Sequence, residues 1–395
     1  MSDLPIGGED TVADENAGRA APATGPRSVL LGRDLPADPR ALAAVSLGEL
    51  EALARERMHP GAFDYVAGGA WDEVSLLENE AAWRRYRFRP RVLVNVGVVD
   101  PATAMLGAPV AFPVAVAPMA VHGLAHPLGE IATAQAAAAA GVPFTLSTVS
   151  SQSIEDVAAG APDGRRWFQL YVQAQPNQTR ELVERAAATG YEAIMVTVDL
   201  PVLGYRERDR RSGFDLAVPL GNFENDRAGP THRPDASGFE VLSSWERRTL
   251  VWDDLSTIRS WSSLPMVLKG ILTVDDARLA VEHGADAIVV SNHGARQLDQ
   301  TLTPVEALGE IVAAVGGRTE VWVDGGVRRG LDLAIALALG ARGVLVGRPV
   351  FWALAAGGQA GVERALAILR EEFEIAMALL GAPTVHDITA GHVAR

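Results

Sequence analysis

The sequence predicts an α/β chain folded as a (β/α)8 TIM barrel, with an N-terminal helical extension and a long insertion after the fourth strand. Three observations carry that expectation. Eight short runs of β-branched and apolar residues recur between residues 113 and 347, and Ala-rich stretches of helical spacing lie between them, most closed by a helix-stopping glycine. Runs that are apolar on both faces and alternate with helices call for a parallel sheet, because parallel strands need crossover connections. The competing α/β architecture, a doubly wound dinucleotide-binding sheet, is marked by G-x-G-x-x-G, and no two glycines of this chain are two positions apart.

Taken in order, residues 1–40 mix Gly, Pro, Asp and Ala with almost no aromatic or periodic apolar positions, so a disordered tail is expected there. The tail starts acidic and lacks an apolar run, unlike a secretory signal or an Arg-rich transit peptide. Residues 41–395 are expected to form one domain, with the barrel proper at about 112–380. Ahead of it, "SLGELEALARERM" (46–58) and "DEVSLLENEAAWRRY" (72–86) have helical spacing and flank "HPGAFDYVAGGA"; these segments would cap the barrel bottom or add to the site. The predicted strands are "PVAVAP" (113–118), "VPFTLS" (142–147), "WFQLY" (167–171), "AIMVTVD" (193–199), "PMVLK" (265–269), "DAIVVSN" (286–292), "EVWVD" (320–324) and "GVLVG" (343–347). Helices are expected in "LGEIATAQAAAAAG", "QTRELVERAAATG", "TVDDARLAVEHG", "PVEALGEIVAAVGG" and "RGLDLAIALALGA". Between the fourth and fifth strands, residues 200–263 carry a polar, turn-rich middle, where a lid over the barrel mouth is expected.

Composition narrows the function classes. A net charge of −14 and a pI near 5.1 give the long-range field the wrong sign for phosphate backbones or anionic lipid, so no nucleic-acid partner is expected. No apolar run reaches the ~18 residues that span a bilayer, so a soluble, cytoplasmic protein with no membrane partner is expected. Without cysteine there is no disulfide, thiolate metal site or cysteine nucleophile; redox chemistry would need an outside cofactor, and no metal site is expected. Of 35 basic residues only Lys269 is a lysine.

In a barrel enzyme the reactive groups stand at the C-terminal strand ends and in the loops after them. Polar residues collect there: Ser147 at the second strand, Gln169 and Tyr171 at the third, Thr197 and Asp199 at the fourth, Lys269 at the fifth, Ser291 and His293 after the sixth, and Asp324 at the seventh. "DGGVRRG" (324–330) sets Gly325 and Gly326 ahead of a helix start with Arg328 close by, and "GRP" (347–349) does the same with Gly347 and Arg348. Backbone N–H groups at helix starts beside a guanidinium suit a phosphate, although each glycine taken alone could be a turn residue. "SNHGARQLD" (291–299) brings His293, Arg296 and Asp299 into one short loop. A base held by Asp199 beside guanidiniums suits removal of a proton from a substrate with a clamped carboxylate. Arg206 in "YRERD" is a second candidate clamp, although such a run is more often a solvated surface. His59, His283 and His392 read as structural or solvated histidines.

"FDYVAGGA", "APMAVHGLAHPLGE", "FQLYV", "TVD" followed by "GYRERD", "LKGI", "SNHGARQLD", "DGGVRRG" and "GRP" together resemble the FMN-dependent L-2-hydroxy-acid oxidase and dehydrogenase family, which includes glycolate oxidase, lactate oxidase and mandelate dehydrogenase. The resemblance runs from about Leu47 to Ile388. It implies FMN as cofactor and oxidation of a small-molecule L-2-hydroxy acid to the 2-keto acid, with His293 as base and Asp199 orienting it. Arg206 and Arg296 would hold the substrate carboxylate, with Tyr65 and Tyr171 contacting carboxylate and hydroxyl. The flavin would rest on the backbone of Pro118, Met119 and Ala120, with Ser147, Gln169 and Thr197 bonded to its ring and Lys269 beside its N1–C2 edge. Ser291, Asp324, Gly325, Gly326, Arg328, Gly347 and Arg348 would meet the ribityl chain and phosphate. Ala120, where some dehydrogenase members carry glycine, favours oxygen as acceptor and hydrogen peroxide as product. Val149, where glycolate-type members carry a large aromatic, leaves room with Met119 for a longer side chain. A quinone-linked dehydrogenase and a lactate monooxygenase stay open within the resemblance. A flavin-free barrel enzyme acting on a phosphorylated metabolite stays open outside it. Members commonly form tetramers or larger rings, so a homo-oligomer is expected.

Overall fold

The computed structural model describes residue 32 and residues 35–212, 220–223 and 248–395. Most of the expected tail, and the middle of the expected insertion, lie outside the described residues. Eight parallel strands close into a barrel: β1 (Val114–Val116), β2 (Phe144–Leu146), β3 (Arg166–Leu170), β4 (Ile194–Thr197), β5 (Met266–Ile271), β6 (Ala287–Val290), β7 (Glu320–Val323) and β8 (Gly343–Val346). They pair in sequence order, and β8 closes on β1 through Val344 opposite Val114. Closure removes the open edges that a doubly wound sheet would have.

Side chains along a strand alternate between faces, so every second residue points into the barrel. Ala115, Trp167, Met195, Val267, Val289, Trp322 and Leu345 form a buried cluster of their own, apart from the larger core between the strands and the helices. Trp167 and Trp322 stack within it with ring centroids 4.8 Å apart. The hairpin Thr103–Met105 and Ala108–Val110 adds Met105 and Val110 to that cluster, and Leu106 N–H donates to Glu320 Oε2, at the start of β7, at 3.2 Å. The hairpin therefore plugs the N-terminal end. Two residues further along the strands, the same period carries Ser147, Gln169, Thr197, Lys269, Ser291, Asp324 and Gly347 to the opposite mouth. An apolar floor thus supports a polar rim.

Of the N-terminal helices Pro39–Ala43, Leu47–Arg57, Pro60–Ala67 and Val74–Trp83, the third lines the barrel mouth through Tyr65 and Val66 and the fourth packs on the loop after β6, so this part of the extension adds to the site. Leu47–Arg57 packs along the C-terminal helix Arg348–Leu380, which kinks at Gly357 and Gly358. In Pro60–Ala67, which starts on a helix-compatible proline, Phe63 stacks on Trp352 and Tyr65 faces the barrel mouth. Of the span expected as an insertion, Glu207–Ser212 packs on helix Pro60–Ala67, and Asp254–Ser260 is a helix immediately preceding β5. That second helix is a regular barrel element, so the departure from a minimal barrel is shorter than 200–263.

Candidate active site

A cavity enclosing about 1520 Å³, including the solvent at its mouth, opens at the C-terminal end of the barrel. Of the expected site residues, all but Asp199 and Ser291 line it directly. Asp199 stands one contact back. His293 Nδ1 lies 2.8 Å from Asp199 Oδ1, and because a carboxylate only accepts, Nδ1 carries the proton and Nε2 keeps its lone pair. Nε2 stands 3.4 Å from Tyr171 Oη, with the two rings stacked at 15°. Burial pushes the His293 pKa down against the opposing pull of Asp199, so the imidazole is neutral near pH 7. For Asp199, burial acts upward, but His293 and then Lys269 hold it net below the usual carboxylate range.

The loop that carries His293 is shaped by consecutive left-handed residues, His293 (φ 58°), Gly294 (φ 62°) and Ala295 (φ 62°). Such backbone persists only where its surroundings over-determine it. Asn292 does so: its side-chain oxygen accepts from Ala295 N–H at 3.1 Å, and its amide pairs reciprocally with that of Asn79 at 2.9 and 2.8 Å. Gln297 ties this loop to the one after β4, donating to the carbonyls of Asp199 and Val202. Neither residue is found by reading the sequence for charged groups; both are neutral amides inside "SNHGARQLD". Asp299 has a different place from that suggested by its spacing. It caps helix Val74–Trp83, accepting from Val74 and Ser75 N–H at 3.1 and 2.7 Å.

Arg206 is buried rather than solvated, its Nε donating to the Arg296 carbonyl at 3.2 Å. Arg296 donates to the carbonyls of Tyr65 and Gly68, and its guanidinium lies over the Tyr65 ring at 4.9 Å. Among the described residues no carboxylate forms an ion pair with either arginine, and burial with the neighbouring charge of Arg296 pulls the Arg206 pKa down to about 10. Two cations that make no direct ion pair among the described residues, with the charge of buried Asp209 acting on both, leave their guanidinium edges for an anionic ligand.

Across the rim, Gln169 bridges β2 and β4, accepting from Ser147 Oγ at 3.2 Å and donating to Thr197 Oγ1 at 3.0 Å. Lys269 Nζ donates to Ser291 Oγ at 2.9 Å and pairs with Asp324 Oδ2 at 3.1 Å. Burial works against its charge, but Asp324 and Asp199 outweigh it and hold the pKa above the ordinary lysine value. Gly270, which follows, has φ 113°, and a Cβ there would come within 2.6 Å of the Asp199 side chain. Lysine and glycine together let β5 present a cation and still pass Asp199.

The expected phosphate loops are more constrained than their glycines suggest. Gly325 and Gly326 have φ 88° and 76°, and a Cβ on Gly326 would meet the Asn79 carbonyl at 1.9 Å. Arg328 pairs with Glu80 at 2.8 Å and lies over Trp352. Arg348 donates from its side chain to the carbonyls of Val66, Gly68 and Gly294, and burial with nearby arginines lowers its pKa to about 9. Its guanidinium is thus a brace, leaving its backbone and charge to face a ligand. Asp324 Oδ1 is buried with no hydrogen-bond partner among the described residues, beside the glycine pair. A polyhydroxylated, phosphorylated group such as the ribityl phosphate of FMN fits there, giving that oxygen a donor and the glycine loop an anion.

A closed parallel barrel with a polar rim, an orphaned Asp324 oxygen and paired glycines at its mouth is the frame of a barrel enzyme that holds a phosphorylated group there. The family model described as FMN-dependent dehydrogenase matches residues 54–395. An L-lactate oxidase from a Nostoc species is 50% identical over 351 residues, covering 87% of this chain and 96% of the relative. A glycolate oxidase from Spinacia oleracea is 46% identical over 352 residues, covering 88% and 95%. A crystal structure of mandelate oxidase superposes with a TM-score of 0.82 at 46% identity, covering 89% of this chain and 98% of that one. The chain belongs to the FMN-dependent dehydrogenase family, and its cofactor is FMN.

Proposed function

We propose that the enzyme oxidises an L-2-hydroxy acid to the 2-keto acid, with His293 as base and molecular oxygen as second substrate, released as hydrogen peroxide. The observation that carries this is the juxtaposition of a neutral, Asp199-held His293 with two cavity-lining guanidiniums that donate to backbone carbonyls. The substrate carboxylate would lie against Arg206 and Arg296, with Tyr65 alongside. Its hydroxyl would sit between His293 Nε2 and Tyr171 Oη. Burial and then the Asp199 charge push the Tyr171 pKa up, so the phenol stays a donor. His293 Nε2 accepts the substrate proton, and ionised Asp199 stabilises the imidazolium that results. Bound FMN supplies the two-electron acceptor, so the acid loses two electrons and two protons that oxygen finally takes up.

Pro118, Met119 and Ala120 would support one face of the cofactor, and Ser147, Gln169 and Thr197 would bond its ring. Lys269 would hold a fixed charge where negative charge develops. Ser291, Asp324, Gly325, Gly326, Arg328, Gly347 and Arg348 would take the ribityl chain and phosphate. Val149, Val172, Leu200, Leu203 and Leu250 add apolar lining to the cavity, which favours a substrate with an aliphatic or aryl side chain. Oxygen as acceptor is supported by relatives named as oxidases. Aerobic turnover of L-lactate or L-mandelate should yield peroxide and keto acid in equal amounts, with the D-acids inert. Keto acid formed without peroxide would refute the oxidase assignment.

We also propose a homo-oligomer. Val92, Leu93, Val94 and Val98 are exposed, and Arg91 N–H bonded to the Leu380 carbonyl sets them near exposed Ile375 and Leu379. Exposed apolar side chains gathered in this way are usual at subunit contacts. No helix among the described residues is long and apolar enough to cross a membrane, and we propose a cytoplasmic location.

A further inference from the structure

Glu130 is fully buried, and no step above uses it. It lies in the first turn of helix Gly129–Ala139 and accepts from His122 N–H at 2.9 Å, Ser151 N–H at 2.9 Å and Ser151 Oγ at 2.5 Å. Ser151 Oγ in turn accepts from Gly123 N–H at 2.9 Å. One turn further on, Thr133 Oγ1 lies 2.9 Å from the His122 ring. A single helix end thus grips the loop after β1 and the loop after β2. Those loops place Met119, Ala120 and Val149 on the cavity wall.

Between the gripped atoms and the wall sits Val121, with φ 49° and ψ 60°. A β-branched side chain is strained in that left-handed region. Its own N–H is fixed to the Val149 carbonyl at 2.9 Å, and the N–H that follows is the one held by Glu130. Bonds to a charged acceptor are stronger than neutral ones, so the carboxylate is suited to hold a peptide in a conformation it would otherwise leave.

We propose that Glu130 is a positioning residue: its carboxylate locks the strained Val121 backbone and thereby fixes the wall formed by Met119, Ala120 and Val149. The proposal rests on that wall facing FMN and substrate. His293, Asp199, Arg206 and Arg296 stand on the loops after β4 and β6, outside the grip. Glu130→Ala should therefore weaken FMN binding and raise KM by about tenfold each, a loss of the size expected for one charged contact. The acid limb of the pH profile should stay where it is.

The test uses the full chain, with and without FMN. Hydrogen exchange at the His122, Gly123 and Ser151 amides of the flavin-free protein should accelerate in Glu130→Ala. Glu130→Gln, which keeps an acceptor for the backbone donors, should recover most of the protection. Glu130→Ala combined with Val121→Gly should recover FMN affinity and KM, because glycine takes the left-handed conformation without strain. Should Glu130→Ala be insoluble, Ser151→Ala removes one link of the grip and should move the same parameters the same way by a smaller factor. Unchanged exchange, or faster exchange with FMN affinity and KM within about twofold of wild type, would overturn the proposal. So would a shifted acid limb, or no recovery with Val121→Gly. A wild-type chain that binds FMN but oxidises no hydroxy acid would instead break the functional assignment, and the exchange data would still decide the lock.

Discussion

His293 carries its proton on Nδ1 because Asp199 accepts it, and that single contact fixes two measurable quantities. Burial lowers the histidine pKa and Asp199 raises it, with a net downward shift. The base form therefore dominates above the ordinary histidine value, so kcat/KM should be flat near pH 7 and fall only on the acid side. Asp199→Asn removes the upward pull, so the acid limb should move further down while the plateau drops by about 10²–10⁴-fold through loss of the oriented, stabilised imidazolium. An acid limb moving upward in that variant would reverse the assigned charges. The Lys269 ammonium sits between Ser291 Oγ and Asp324 Oδ2, where the broad planar fork of arginine would need more room and a different geometry. Stopped-flow measurement of Lys269→Arg should show flavin bleaching by substrate slowed by about 10²-fold, the size of one lost electrostatic contact. Arg211→Lys, on a highly exposed side chain, should leave the rate unchanged.

Strand β5 shows how an element serves the site through its backbone. A bulge separates Lys269 from Ile271, and Gly270 between them turns at φ 113° against Asp199. Gly270→Ala puts a methyl group where the carboxylate stands and a side chain in a glycine conformation, at about 1–3 kcal/mol in strain. Its kcat should fall sharply through displacement of Asp199 while FMN still binds, as read from the visible spectrum and turnover of one preparation. Much of this site was legible in the chain because the strand period of two sorts residues by itself: Trp167, Val267 and Trp322 go to the floor, and Gln169, Lys269 and Asp324 to the rim. What stayed hidden travels between elements. Nothing in "LENEAAW" announces that Asn79 would pair with Asn292, nor in "RQLD" that Gln297 would hold the β4 loop and Asp299 would cap a helix far away in sequence. The extension likewise had helical spacing but no mark of which barrel end it would meet; the stacking of Phe63 on Trp352 decides that.

At the scale of the whole molecule, the barrel separates support from chemistry. The hairpin and the stacked Trp167 and Trp322 close one end, while helix Pro60–Ala67 and the loops after the strands build the other. Residues Val92, Leu93, Val94 and Val98 are exposed, and covering them in a homo-oligomer leads to a direct expectation. Leu93→Asp with Leu379→Asp should shift the sedimentation coefficient toward a smaller species; no change would place the contact elsewhere. Whether His293 removes the proton whose loss starts hydroxy-acid oxidation is decided by anaerobic mixing of wild type and His293→Ala with L-lactate or L-mandelate while following the visible flavin band. Wild type should bleach rapidly. His293→Ala should retain its FMN and bleach more slowly by about 10²–10⁴-fold, the contribution of a positioned base; bleaching at a near-normal rate would contradict that role for His293.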